Sequence, residues 1–555
     1  MNLLKWLKSW RSVTIAVTIG IISTVFIAFD DSDDFELVKY MDIYNSLVRE
    51  LRLNYVDEVE VSEIFNTSID KMLETLDPYT VYYPESEIED YKFLTTGQYG
   101  GIGALIRNEK KKIVIEEIYE NYPAHKAGLK AGDVIMKIGD KSAEKSNSDD
   151  ISVLMKGMPN TEVELTIYRP STSQTITKKL VRERIKVENV PYFGMIDEST
   201  GYINLSGFTP NAYGEVRNAF LKLKEQNASR LIIDLRGNPG GLLIEAVNIV
   251  SLFVEKGTHI VSMKGKLKES NNRFVTTYDP VDLNIPICVL VNRNSASASE
   301  IVSGALQDLD RAVIVGERTY GKGLVQETRD LSYNAKLKVT TAKYYIPSGR
   351  CIQALDYSHR NPDGSVGHVP DSLISEFKTK SGRKVYDGGG ISPDLKSSDI
   401  SLSPVSQYLV SNFILFDYAS LFESTHDSIV APVQFKISEK DYESFVNYVK
   451  SLKTEYKSET QKAIEQLVEV AKKEQYYDKT AREIEALKSS VKHNITDDML
   501  MFKSEIKQLL EDEIVKRYYY RKGVIKKNLA ESESIKNAME LMKNINNYNS
   551  LLKPK

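Results

Sequence analysis

The chain has 555 residues, of which 41% are hydrophobic and 27% charged, and its formal net charge is -4. This length predicts two to four domains with substantial cores, and the small net charge gives no reason to expect a nucleic-acid partner. The two cysteines, Cys288 and Cys351, exclude a disulfide framework, and no Cys/His pairing indicates a metal or another cofactor.

Residues 1–34 indicate a membrane anchor. The run from Val13 to Phe29 is apolar; basic residues precede it, and four aspartates follow it within residues 30–34. About 20 apolar residues cross a bilayer, and this order of charges predicts a cytoplasmic amino end with the body of the chain exported. We therefore expect an uncleaved signal anchor, single-pass in the inner (cytoplasmic) membrane, with the main part in the periplasm. A cleaved signal peptide is the competing interpretation.

Residues 35–96 predict an N-terminal helical region. Apolar side chains recur there at helical spacing: Leu37, Tyr40, Met41, Tyr44, Leu47 and Leu51. The pair Asp77-Pro78 ends a second helical run, because a residue before proline disfavours helical backbone. We assign no chemistry to this region.

Residues 97–182 open with a glycine-rich loop, which reads Gly100-Gly101-Ile102-Gly103. Glycines let consecutive backbone N–H groups converge on a carboxylate. A tight hairpin turn would use the same residues equally well.

The segment after this loop carries a second glycine-punctuated run, AGLKAGDVI, from Ala127 to Ile135. A helical pattern at Ile151 to Met155 and a strand pattern at Val163 to Tyr168 follow it. Together these features resemble a PDZ domain. The resemblance implies that a peptide adds to this domain as an edge strand, with its C-terminal carboxylate held in the glycine-rich loop.

A glycine turn follows a predicted buried strand, Leu231 to Leu235. The turn from Arg236 to Gly241 reads RGNPGG, and a helical pattern continues to Val250. A helix N-terminus after such a turn favours negative charge, so an N–H group there could face a nucleophile. The alternation of strands and helices predicts an open α/β sheet.

A cluster of serines lies at the next predicted strand-to-helix turn. The apolar run Ile285 to Val291 predicts a buried strand, Ser295 to Ser299 reads SASAS, and Ile301 to Leu309 has helical periodicity. Unpaired N–H groups at this helix start would suit a nucleophilic hydroxyl and an oxyanion. Serines before a helix are also ordinary N-caps.

A lysine between two glycines follows the next strand pattern, Ala312 to Val315. Backbone can pack closely around Lys322, and Gln326 shares its face in helix or strand alike. The run from Gly316 to Gly323 nearly spells a phosphate-binding P-loop, but Gly323 lacks the hydroxyl that would reach magnesium. We therefore reject nucleotide binding.

The two motifs, Ser295 to Glu300 and Gly316 to Gln326, closely resemble those of the C-terminal processing (tail-specific) peptidases. These are serine-lysine enzymes in which PDZ and protease domains are fused. The resemblance implies a nucleophile at Ser297, a general base at Lys322 and an orienting partner at Gln326. It also implies two oxyanion donors, the N–H of Ala298 and a glycine N–H, with Gly241 preferred to Gly240.

The resemblance also implies the architecture. It predicts an α/β peptidase core with a mixed, crotonase/ClpP-like sheet over residues 183–400, an inserted PDZ domain, and helical regions before and after. Residues 357–390 predict a surface insertion within the core. Residues 401–555 predict long amphipathic helices, which could form a homo-oligomer or dock an adaptor, and the sequence leaves these alternatives open.

The predicted reaction is endopeptidase cleavage of exported proteins near their C-termini. A serine hydroxyl needs a base, and burial would have to lower the pKa of Lys322 from the 10.4 or so of a free lysine. A neutral partner such as Gln326 would hold the amine without favouring its charged form. The sequence does not identify the substrate, nor whether the PDZ domain activates the protease or only recruits substrate.

Two alternatives remain open at this point. A catalytically silent, membrane-anchored PDZ scaffold would bind protein C-termini without cutting them. Crotonase-like acyl-CoA chemistry suits the predicted sheet but not an exported location.

Overall fold

The computed structural model describes residues 33–109, 112–144, 146, 148–397, 402–453, 456–491 and 495–554. The apolar run predicted as a membrane anchor lies outside these residues. Within the described ranges, no helix combines the length and the apolar character that crossing a membrane requires. The chain divides into two compact units, residues 1–82 and 83–555.

The first unit contains two helices, α1 (Asp33–Asn54) and α2 (Val61–Glu74). The Tyr44 hydroxyl lies 2.6 Å from that of Ser68, and its ring meets Phe65 edge-on. The predicted break at Asp77-Pro78 is confirmed, since α2 ends just before it. Strand β1 (Val81–Tyr83) and helix α3 (Ile88–Thr96) follow along the chain.

Residues 98–186 form the domain expected from the PDZ resemblance. Its elements are β2 (Gln98–Gly101), β3 (Ala104–Glu109), β4 (Lys112–Ile118), α4 (Pro123–Lys126), β5 (Val134–Ile138), β6 (Lys141–Ser142), α5 (Ser148–Met155), β7 (Glu162–Arg169), β8 (Gln174–Val181) and β9 (Glu183–Lys186). The main sheet has the order β3-β4-β5-β7-β8, with β6 beside β5, and β2 pairs with β9. Strand β3 is therefore an edge strand, and α5 packs beside it.

The peptidase core is built on one six-stranded sheet with its central strands parallel. Its elements are β10 (Tyr192–Met195), β11 (Thr200–Asn204), α6 (Ala212–Glu225), β12 (Arg230–Asp234), α7 (Leu243–Ser251), β15 (Ile287–Val291), α8 (Ala298–Asp308), β16 (Val313–Gly316) and β23 (Leu395–Lys396). The order is β10-β11-β12-β15-β16-β23, and only β10 is antiparallel to its neighbour. The mixed α/β architecture predicted from the sequence is confirmed.

A second, antiparallel sheet lies in the same domain and carries the segment after the lysine motif. It includes β13 (His259–Gly265), β14 (Asn272–Val275), β17 (Leu324–Asp330) and β18 (Lys336–Tyr345). The predicted surface insertion forms two small hairpins, β19 (Leu355–Arg360) with β20 (Val366–His368), and β21 (Glu376–Lys378) with β22 (Lys384–Tyr386).

The C-terminal helices pack against more than one part of the protein. The bounds are α9 (Pro404–Ser411), α10 (Ile414–Thr425), α11 (Glu439–Ser451), α12 (Glu459–Lys473), α13 (Tyr477–Ser490), α14 (Ile495–Met501), α15 (Lys503–Asn528), α16 (Glu533–Lys543) and α17 (Ile545–Leu551). Helices α9 to α11, α14 and α15 share a core of their own. In contrast, α16 and α17 cover the face of the peptidase sheet that α6 to α8 leave open, burying Ile535, Met542 and Tyr548.

The PDZ domain also packs against the C-terminal helices. The guanidinium of Arg107, on β3, lies 3.9 Å from the ring centroids of both Phe413 and Phe416. Val114 and Val134 complete this buried contact. The outer face of the PDZ sheet is thus covered by helix α10 and the residue before it.

Candidate active site

Ser297 lies at the predicted turn between β15 and α8, directly before the helix. Its φ of +56° and ψ of −115° are values that side-chain-bearing residues rarely adopt. A sharp turn of this kind leads a serine hydroxyl away from both flanking elements. The half-buried side chain of Ser297 therefore stands at the positive end of the helix dipole.

The other two serines of the motif are buried and hydrogen-bonded. Ser295 Oγ donates to Leu235 O at 2.8 Å and accepts the N–H of Asn292 at 3.0 Å. Ser299 Oγ donates to Asn238 O at 2.9 Å. Ser299 thus ties the turn to the RGNPGG loop and Ser295 ties it to the residue before that loop, which leaves Ser297 as the reactive candidate among the three.

The RGNPGG loop approaches Ser297 at Gly240. A Cβ atom on Gly240, whose φ is +101°, would lie 2.7 Å from Ala296 O, 2.8 Å from Ser297 Cβ and 2.9 Å from Ala298 N. No side chain fits at these distances. Glycine is therefore required for the two loops to meet.

The predicted oxyanion donors differ in their hydrogen bonding. The N–H of Gly240 donates to Asn238 Oδ1 at 2.9 Å. Among the residues that the structure describes, no acceptor engages the N–H of Gly241 or that of Ala298. This difference supports Gly241 and Ala298 as the donors, which remains a prediction.

Lys322 lies between β16 and β17 and is half-buried. Its glycine neighbours pack against the protein as the sequence predicts, because a Cβ on Gly321 (φ +87°) would lie 2.4 Å from Ala354 Cβ. A Cβ on Gly323 would lie 2.8 Å from Gln353 N. The Nε2 of the predicted orienting residue, Gln326, donates to Thr340 Oγ1 at 3.1 Å.

The carboxylate of Glu300 joins the serine motif to the lysine motif. Its Oε2 accepts the N–H groups of Ser297 and Lys322, each at 2.8 Å. Its Oε1 accepts the N–H of Gly321 at 2.7 Å and the hydroxyl of Thr319 at 2.5 Å. Glu300 is fully buried, and this burial raises its pKa from 4.5 to about 7 against the opposing effect of the four donors.

The sequence analysis assigned no role to Glu300. A serine before a helix with glutamate three residues later is the pattern of a capping box. That pattern would have predicted the bond to the Ser297 N–H, but not the three bonds to residues 319–322, which lie far along the chain. Tyr344 was also missed; its hydroxyl contacts the carbonyl oxygens of Lys322 and, at 3.2 Å, Ser297.

The glycine-rich loop of the PDZ domain has its carbonyl groups turned inward. Ile102 O accepts the N–H of Ala124 at 2.8 Å, and Gly103 O accepts that of Tyr119 at 2.9 Å. In the described part of the chain, no acceptor takes the N–H of Ile102 or of Gly103. The loop leads directly into β3, whose outer edge faces α5. This arrangement suits a carboxylate at the loop and an added strand along β3.

Comparison with known proteins adds to this geometry. The model of peptidase family S41 matches residues 199–363, that of the PDZ domain matches residues 100–180, and that of the C-terminal helical domain of probable PDZ-proteases matches residues 405–542. A carboxy-terminal-processing protease of Bartonella bacilliformis is 35% identical over 345 residues, which make up 61% of this chain and 75% of that protein.

Two further relatives extend the comparison. A CtpA-like serine protease of Staphylococcus aureus is 30% identical over 436 residues, 74% of this chain and 83% of that protein. The solved photosystem II D1 C-terminal processing protease is 27% identical, over 63% of this chain and 86% of that chain, with a TM-score of 0.35.

The fold, the serine turn, the family-model matches and the two bacterial relatives define a serine protease with a PDZ domain. More particularly, the chain belongs to peptidase family S41. The assignment made from the serine and lysine motifs is thereby confirmed at the level of family, fold and enzyme class.

Proposed function

We propose that this enzyme cleaves exported proteins near their C-termini, with Ser297 as the nucleophile and Lys322 as the general base. The observation that carries the proposal is the shared carboxylate oxygen of Glu300, which holds the N–H groups of both residues at 2.8 Å. Two segments 25 positions apart in sequence, at residues 297 and 322, are thereby held side by side.

The chemistry follows from these roles. The neutral amine of Lys322 takes the proton of Ser297 Oγ as the oxygen attacks the scissile carbonyl carbon. The N–H groups of Gly241 and Ala298 receive the oxyanion, each such donor being worth about 3 kcal/mol. The protonated amine then gives its proton to the leaving amine. Water, deprotonated by the same lysine, then attacks the acyl carbon, and the protonated lysine returns the proton to Ser297 Oγ as the acid product leaves.

Two supporting roles complete the proposal. Gln326 orients the lysine amine through its amide without adding a charge. In the PDZ domain, the loop Gly100, Gly101, Ile102 and Gly103 binds the free carboxylate of the substrate, and the substrate tail pairs with β3. The proposal for the loop is supported by the two N–H groups, of Ile102 and Gly103, that lack acceptors within the described residues.

The test is cleavage of a protein with an apolar, tagged C-terminal tail, followed by mass spectrometry. Wild type should release C-terminal fragments, and Ser297→Ala and Lys322→Ala should release none while binding the same tail peptide. Ser299→Ala is the matched control, because it removes a hydroxyl from the same motif. Turnover by Ser297→Ala or Lys322→Ala would exclude the proposed dyad. Tail binding without cleavage by wild type would instead favour the scaffold function.

We also propose that residues 1–34 anchor the enzyme in the inner membrane with its catalytic part in the periplasm. The charges around the apolar run Val13 to Phe29 support this orientation. External protease should degrade the body of the chain in spheroplasts and leave only a short membrane-bound fragment. Recovery of a mature chain that begins after residue 30 would indicate a cleaved signal peptide instead.

A further inference from the structure

Tyr344 contacts the two residues of the proposed dyad through their backbones. Its hydroxyl donates to Lys322 O and to Ser297 O, the latter at 3.2 Å. A phenol carries one hydrogen, so the two carbonyl oxygens share it in a three-centre bond. The side chain is 1% exposed, which keeps water from replacing either contact.

The backbone of Tyr344 is itself firmly held. Its N–H donates to Gly323 O at 3.0 Å, and its strand, β18, pairs with β13 at Met263. Tyr344 therefore binds two successive carbonyl groups, of Lys322 through the hydroxyl and of Gly323 through the N–H. These two contacts hold the hydroxyl in place relative to the turn at Lys322. From that position it also contacts the carbonyl group of Ser297.

The carbonyl contacts of Tyr344 complement the N–H contacts of Glu300. Glu300 Oε2 holds the N–H of Ser297 and of Lys322, and Tyr344 holds their C=O groups. The N–H and C=O of one residue flank its Cα atom, so restraining both sets the direction of the Cα–Cβ bond. Both proposed catalytic side chains thus leave the backbone in directions set by the same two buried groups.

We propose that Tyr344 is a positioning residue that aligns Ser297 and Lys322 for proton transfer. The inference rests on the proposed dyad, since alignment matters only if these two side chains react with each other. A misplacement of about 1 Å can lower the rate of an enzyme about 100-fold. Loss of the Tyr344 hydroxyl should therefore lower kcat rather than substrate binding.

The principal test is Tyr344→Phe, which removes only the hydroxyl. We expect kcat to fall about 10- to 100-fold, while KM and the Kd of a tail peptide change less than about threefold. The acid limb of the plot of kcat against pH should also move, because it reports deprotonation of the general base. Replacement of Tyr344 by 4-aminophenylalanine, which restores a donor on the same ring, should recover most of the activity.

Two matched variants separate positioning from stability. Tyr345→Phe changes the adjacent ring, which packs 4.5 Å from the Lys264 ammonium, and should behave as wild type. Tyr442→Phe removes another buried hydroxyl, one that donates to Met499 O at 2.7 Å. Tyr442→Phe should lower the Tm without lowering kcat. If Tyr442→Phe and Tyr344→Phe lowered the Tm equally and also lowered kcat equally, the inference would be overturned.

The remaining outcomes are equally decisive. A Tyr344→Phe variant with kcat within twofold of wild type would overturn the inference and leave the dyad intact, provided that Ser297→Ala and Lys322→Ala are inactive. Activity in either of those alanine variants would instead overturn the proposed function. Should Tyr344→Phe fail to fold, a folded but inactive 4-aminophenylalanine variant would show that the donated hydrogen is not what matters.

Discussion

The backbone N–H groups of Ser297 and Lys322 donate to one carboxylate oxygen, Glu300 Oε2, each at 2.8 Å. Residue 297 begins a helix after one strand, and residue 322 precedes a strand of the other sheet, so neither motif alone determines their separation. Four buried donors need acceptor oxygens, and the Glu300 carboxylate accepts two of them on each of its oxygens. Glu300 therefore couples the geometry of the site to the stability of the core.

Glu300→Gln tests this coupling with almost no change in volume. The amide keeps one acceptor oxygen but directs its NH₂ group at two of the four donors, which lose their acceptor. We expect the free energy of unfolding to fall by about 2 kcal/mol and the peptidase rate to fall at least about 10-fold. Urea unfolding and peptide cleavage measure the two effects. A glutamine variant with wild-type stability would mean that the carboxylate charge has no structural role.

Wild type and Glu300→Gln should also differ in how their free energy of unfolding depends on pH. Burial raises the pKa of Glu300 from 4.5 to about 7, so between these pH values the folded protein holds a proton that the unfolded chain has lost. This contribution to stability is therefore largest below pH 4.5, decreases as the pH rises, and is constant above about 7. It amounts to roughly 3 kcal/mol, and it is missing from Glu300→Gln.

Urea unfolding at several pH values between 4.5 and 8 checks that the contribution of Glu300 to stability decreases as the pH rises. The stability advantage of wild type over Glu300→Gln should be greater at pH 5 than at pH 8. Parallel pH curves for the two proteins would show that Glu300 does not titrate differently in the folded and unfolded states.

Ser297 and Ser299 should give opposite results when replaced by alanine. Ser299 Oγ is buried and binds Asn238 O at 2.9 Å, so Ser299→Ala should cost about 1–2 kcal/mol of stability and keep the rate within about threefold. Ser297→Ala should keep the stability and abolish cleavage. Thermal unfolding and turnover of both variants provide the comparison. Loss of cleavage in Ser299→Ala alone would identify Ser299 as the nucleophile instead.

Gly240→Ala should disrupt the site by contact with the serine turn. The added Cβ would lie 2.8 Å from Ser297 Cβ and 2.9 Å from Ala298 N, so one of the two loops has to move. We expect the cleavage rate to fall at least about 100-fold. Gly237→Ala is the control: it has the same type of backbone strain, with φ at +71°, but its Cβ meets nothing within 4 Å. An equal loss of cleavage rate in both variants would indicate that backbone strain, and not contact with the serine turn, causes the effect.

How much of the site could be predicted depends on how local the contacts are. Ser297 and Lys322 lie in ordered motifs within short segments, and the strand-to-helix turn at Ser297 follows from local patterns, which the structure confirms. The three bonds of Glu300 to residues 319–322 and the contact of Tyr344 with Ser297 join segments that approach only in the folded chain. Spacing along the sequence contains no signal for such contacts.

The C-terminal helices show that prediction of the fold from the sequence is limited in the same way. Periodicity predicts that an amphipathic helix buries one face, but it does not say against what. Residues 401–555 were therefore assigned as one helical region. The structure separates α16 and α17 from the others, because the second face of a parallel sheet must also be covered and these two helices cover it.

Tyr548, on α17, allows a test of whether this helix stabilises the peptidase sheet. Its buried hydroxyl accepts the N–H of Ile287 at 2.9 Å and donates to the carbonyl of the same residue at 3.0 Å, at the first residue of the strand that leads to Ser297. Tyr548→Phe removes the acceptor of the Ile287 N–H and a donor to its carbonyl, and we expect the free energy of unfolding to fall by about 2 kcal/mol, measured by urea unfolding. Tyr333→Phe is the control, since Tyr333 is 93% exposed. Equal stability of the two variants would show that α17 does not stabilise the peptidase sheet through this contact.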